Sequence, residues 1–243
     1  MHGASLRRIA AVMVAVAALI TSAPASAAAD DKLLLGGGAG ITLNDDTLCT
    51  LTAMGHDSTG RLIGFTSAHC GAPGSPVIAE GAEERGTVGT VVAADDALGY
   101  AVIEFDPVKA KPIADYEGFG IYGIGPPDPE PTDLEPAAPA PDNPEPLSPA
   151  PAAATHACKL GLGTGLSCFD VGPDGVNTAA EQWWQPGDDG APVTVDNLIV
   201  GMIRDGTVPT APLDQPGSGI VLFKAILDDV NAKGGPGAGF FLG

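Results

Sequence analysis

From Leu48 onwards apolar side chains alternate with polar ones at the two-residue period of a strand. Thr47-Leu48-Cys49-Thr50-Leu51-Thr52 has this pattern. His56-Asp57-Ser58-Thr59-Gly60 then supplies turn chemistry, and 61–67 returns, so 47–67 is predicted to be a hairpin. Further strands are predicted over 76–80, 86–93 and 100–105, the last stopped by Asp106-Pro107. A glycine-rich strand is predicted over 118–125. Downstream, 192–195 and 198–203 flank Asp196-Asn197, which predicts a strand, a two-residue turn and a strand. Residues 171–182 read as loop. Leu222, Ile226 and Val230 repeat at helical spacing and predict a helix over 223–232, stopped by Gly234-Gly235 and Pro236.

Two stretches follow neither pattern. Residues 1–27 carry Arg7 and Arg8, an apolar run from Ile9 to Ile20 and the small residues Ala25-Ser26-Ala27, which together predict a secretory signal. The run is too short to span a bilayer, and no second long apolar run follows, so no membrane insertion is expected after signal removal. Residues 126–154 are rich in Pro, Ala and acidic side chains and lack apolar periodicity. They are predicted to be a disordered acidic insert that buries nothing.

Composition sharpens the class. Glycine (34) and proline (23) are abundant and aromatics make up 5% of the 243 residues, which favours a turn-rich all-β protein. A formal charge of −19 repels nucleic acid and anionic lipid and argues against both as partners. Four cysteines (49, 70, 158 and 168) behind a secretory signal favour disulfides over metal ligation, with three pairings open. No metal or cofactor is called for.

Two boxes carry candidate chemistry. Thr66-Ser67-Ala68-His69-Cys70 ends a predicted strand, and Gly187-Asp188-Asp189-Gly190-Ala191-Pro192 lies far downstream. Together they resemble the histidine and serine boxes of secreted bacterial chymotrypsin-like serine proteases of the trypsin and streptogrisin type. The cysteine hairpin from His156 to Cys168, the strand pair 192–203 and the C-terminal helix follow in that family's order. The resemblance runs from about residue 36 onwards, outside the insert. It implies two six-stranded antiparallel Greek-key barrels with a C-terminal helix, spanning 28–125 and 155–243. It also implies the disulfides Cys49–Cys70 and Cys158–Cys168.

The same resemblance exposes what is missing. His69 stands at the position of the general base. Asp189 stands where the nucleophilic serine should be. Gly99 stands where the orienting aspartate should be, with Asp95 and Asp96 in the loop just upstream. The backbone N–H groups of Gly187 and Asp189 would form the oxyanion site. Trp183 replaces a pocket cysteine, and Arg204-Asp205-Gly206 replaces the Ser-Gly-Gly of the substrate-pairing strand.

The expected function is therefore that of a secreted, monomeric pseudoprotease whose cleft binds a peptide or protein ligand, with Trp183 and Trp184 as apolar contacts. The alternative is an active hydrolase with a non-standard site drawing on His69, Asp189 and Ser67 or Ser167. A zinc protein built on His69 and Asp189 lacks ligands at recognisable spacing.

Overall fold

The computed structural model describes residues 32–44, 46–125, 155–177, 180–213 and 219–243. The predicted signal (1–27) and acidic insert (126–154) lie outside the described residues.

The first sheet is built from Gly40–Leu43, Thr47–Thr50, Ala53–His56, Leu62–Ser67, Pro76–Ala79, Gly89–Asp95 and Tyr100–Phe105. Thr47–Thr50 and Ala53–His56 are two halves of one strand, bent at Leu51-Thr52. The first half pairs with Gly40–Leu43 and the second with Leu62–Ser67. At the bend the backbone changes partners without losing its bonds: Leu51 N–H donates to Ala39 O at 2.8 Å and Thr52 N–H to Phe65 O at 2.7 Å. The remaining pairings run from Leu62–Ser67 through Tyr100–Phe105, Gly89–Asp95 and Pro76–Ala79 back to Gly40–Leu43. Six antiparallel strands thus close on themselves around Ile41, Leu43, Leu51, Ile103 and Phe105. The predicted 47–67 hairpin is corrected to one over 53–67, because the bend hands Thr47–Thr50 to a different neighbour.

The second sheet contains Thr155–Gly161, Gly165–Gly172, Gly175–Val176, Pro192–Val195, Leu198–Ile203 and Ile220–Leu222, all paired antiparallel. The Asp196-Asn197 turn has both residues left-handed, φ 51° and 61°, as a two-residue hairpin of this hand requires. The predicted strand 118–125 is broken. Phe119–Gly120 pairs with Asp115–Tyr116, while Gly123–Ile124 lies parallel to Leu198–Ile203 in the second sheet. Part of 171–182, predicted as loop, forms strand Gly175–Val176 and a helical turn, Ala180–Trp183.

The C-terminal helix, Phe223–Lys233, buries Phe223, Ile226 and Val230. Gly234, at φ 67°, ends it, and its N–H returns to Val230 O at 3.0 Å. Phe223 and Phe240 meet Phe65 of the first sheet edge to face, at centroid distances of 5.4 and 5.0 Å. Their cluster also holds Ile199 and Met202, so one core joins the two sheets. Beyond the helix, Phe241–Leu242 pairs with Ala53–His56 at the edge of the first sheet. The architecture is the all-β double barrel with a C-terminal helix. Among the described residues no helix is long and apolar enough to cross a membrane.

Candidate functional site

The loop Gln185–Ala191 is tied to both sheets. Asp188 is fully buried and pairs with the equally buried Lys159 at 3.1 Å. Its carboxylate also accepts the N–H groups of Gly163 (2.8 Å), Thr164 (3.0 Å) and Gln185 (3.1 Å) and the Thr164 hydroxyl (2.8 Å). Burial pulls the Lys159 ammonium below its ordinary range, and the Asp188 carboxylate opposes that fall. From the first barrel, Thr50 Oγ1 donates to Gly187 O at 2.7 Å and accepts Leu162 N–H at 2.9 Å. Thr50 N–H meets Asp189 O at 2.9 Å, and Thr52 Oγ1 meets Gly190 O at 2.6 Å. At Gly190 a Cβ would lie 2.2 Å from Thr50 O, so only glycine permits this approach.

These bonds hold Gly187 at φ 100° and leave two N–H groups over. Neither Gly187 N–H nor Asp189 N–H donates to an acceptor among the described residues. Beside them stands the Asp189 side chain. Its Oδ1 accepts Trp184 Nε1–H at 2.7 Å, while Oδ2 lies 3.9 Å from His69 Nδ1. Burial pushes this carboxyl above the usual carboxylate range, against the pull of the Trp184 hydrogen bond and of His69.

His69 is carried by a 3₁₀ turn, Ala68–Cys70, that Ser67 caps through its hydroxyl (His69 N–H to Oγ, 3.3 Å). The disulfide Cys49–Cys70 ties this turn to the bent strand. The imidazole itself is 59% exposed, and the 3.9 Å approach to Asp189 is too long for a hydrogen bond. Gly99 lies behind the turn, and its carbonyl accepts Ala68 N–H at 3.0 Å. It is left-handed, φ 79°, and a Cβ there would meet Arg204 Cδ at 2.5 Å. The Arg204 side chain thus occupies the space next to Gly99, and its Nε pairs with Asp205 at 2.9 Å. Asp95 is turned away: Oδ1 accepts Leu98 N–H at 2.7 Å and Oδ2 holds Lys233. Asp96 is exposed.

The other candidates fall elsewhere. Ser67 is fully buried, and its hydroxyl donates to Arg204 O at 3.1 Å. Ser167 sits in a strand opposite Lys159. Trp183 is wholly buried against Phe169, whereas Trp184 is half-buried and packs on Gly206, where a Cβ would lie 3.1 Å from its ring. Cys158 and Cys168 are bonded to each other. With His156 they form the one group among the described residues compact enough for a metal, but a disulfide offers no thiolate ligand.

Sequence reasoning missed the Lys159–Asp188 pair. Its one signal was a lysine within the otherwise small or apolar run Ala157-Cys158-Lys159-Leu160-Gly161.

Comparison with solved structures places this fold among the bacterial chymotrypsin-like serine proteases. A protease from Nocardiopsis superposes with a TM-score of 0.53 at 15% identity, covering 82% of this chain and 97% of its own. Protease A of Thermobifida fusca gives 0.52 at 16%, covering 87% and 100%. A homologue of alpha-lytic protease gives 0.51 at 18%, covering 83% and 97%. No family model and no curated protein matches.

Proposed function

We propose that this chain is a secreted protease homologue that does not cleave peptides and uses its cleft to bind a peptide or protein segment. One observation carries the reading. A carboxylate latched by Trp184 stands beside the free N–H groups where a serine hydroxyl would attack. A carboxylate attacking an amide gives an anhydride that reverts, and its charge opposes the oxyanion that those N–H groups would stabilise. In related machinery, loss of the serine alone lowers turnover by about 10⁶-fold. Behind His69, Arg204 fills the space next to Gly99, so no carboxylate stands at that position to orient the imidazole. The same proposal includes a signal over 1–27, barrels over 28–125 and 155–243, an acidic spacer over 126–154 and a monomeric mature protein.

The test is labelling of the purified mature protein with a fluorophosphonate, alongside cleavage of a casein substrate. The expected result is no labelled serine and no cleavage, in the natural protein and in Asp189→Ser alike. Labelling at a mapped serine, or cleavage that survives His69→Ala, would overturn the reading in favour of a hydrolase with a non-standard site.

A further inference from the structure

The two oxygens of Asp189 differ. Oδ1 is held by Trp184 Nε1–H at 2.7 Å, while Oδ2 accepts no hydrogen bond from the described residues and faces His69. An oxygen with an unshared lone pair beside an imidazole is a nucleophile in search of a suitable electrophile. Amides do not suit a carboxylate, but a strained tetrahedral carbon does: attack there gives a stable ester, and ring opening makes the step downhill. We propose that Asp189 is a carboxylate nucleophile for an epoxide, and that His69 is the base that hydrolyses the resulting ester. This activity is independent of whether the cleft also holds a peptide.

The steps balance. Asp189 Oδ2 bonds to a ring carbon, and the carbon–oxygen bond of the epoxide breaks. Its electron pair leaves with the oxygen, which takes a proton from the His69 imidazolium. The neutral imidazole then removes a proton from water, and the hydroxide adds to the ester carbonyl carbon. That carbonyl oxygen is Oδ1, so the negative charge develops where the Trp184 N–H already points. Collapse expels the alkoxide, which takes the proton back from His69. The Asp189 carboxyl then returns its own proton to the imidazole. Epoxide and water have become a vicinal diol. The 59% exposure of His69, a handicap for orienting a triad, gives the second step its water.

The experiment treats the natural protein and His69→Gln with para-nitrophenyl glycidyl ether and maps adducts by peptide mass. The expected adduct lies on Asp189 in preference to every other carboxylate. It turns over to diol in the natural protein; in His69→Gln, where water must supply the proton for ring opening, it forms more slowly and persists. In water enriched in heavy oxygen, a single turnover places the label in the Asp189 carboxylate and none in the diol. Trp184→Phe should slow ester breakdown by about 10²-fold. Peptide mapping of the natural protein needs no variant to fold. Absence of an Asp189 adduct in both proteins, equal labelling of surface carboxylates, or heavy oxygen appearing directly in the diol would overturn the proposal.

Discussion

The loop Gln185–Ala191 and the turn around His69 meet where Asp189 Oδ2 lies 3.9 Å from His69 Nδ1, but they are held very differently. In the loop, the Asp188 carboxylate and the carbonyls of Gly187, Asp189 and Gly190 are all bonded, and their partners come from both barrels. Around His69 the backbone is pinned by Ser67, Gly99 and a disulfide, yet the imidazole makes no hydrogen bond among the described residues. The lesson is that bonds which shape a backbone and bonds which aim a side chain are separate matters. The former keep the cleft in form when the latter are gone.

The largest way to break this contrast is Lys159→Met, which strands the buried Asp188 charge. We expect a loss of about 3–5 kcal/mol in urea unfolding, and an unchanged value would mean that the loop holds itself. Thr50→Val comes next. It leaves Gly187 O and Leu162 N–H without a partner and should destabilise by about 1–3 kcal/mol on the same measurement. On the other face, Gly99→Asp puts a side chain at φ 79° and into Arg204, so a cost of about 1–2 kcal/mol in thermal unfolding is expected, with no gain of peptidase activity.

A subtler probe compares natural protein and Asp189→Asn across pH. The Asp189 carboxyl lies above its ordinary 3.8 in the folded state, so the stability it lends is complete below about pH 4 and is lost as pH rises through the folded value. The natural protein should therefore lose ground to Asp189→Asn as pH rises from about 4, in paired denaturation curves. A difference that ran the other way would place the His69 attraction above the cost of burial. The smallest effect belongs to His69→Ala. A side chain this exposed should change stability by less than about 0.5 kcal/mol in calorimetry, and a larger loss would erase the asymmetry between the two regions.

Parts of this picture were legible in the chain itself. Asp196-Asn197 announced its hairpin because few residue pairs accept two left-handed conformations, and Ile226 with Val230 announced the helix by spacing. The order of boxes identified the fold, and with it both disulfides. Other parts depend on three-dimensional neighbours. The bend at Leu51-Thr52 leaves alternation intact while changing partners, so periodicity could not reveal it. Gly99 was visible as a gap, but its occupation by Arg204 requires two distant loops to meet. The strand Phe241–Leu242 is too short to carry any period at all.

That short strand, together with Gly123–Ile124, has a consequence for a cut chain. Each half of the molecule lends a strand to the other: Gly123–Ile124 to the second sheet, Phe241–Leu242 to the first. Neither disulfide links residues before 126 to residues after 154. A protease that nicked the stretch 126–154 would thus sever the covalent connection and still leave two fragments clasped like interlocked hands. Such a nicked form should migrate as one species in native conditions and as two in detergent. Separately expressed halves would be expected to find each other by fragment complementation.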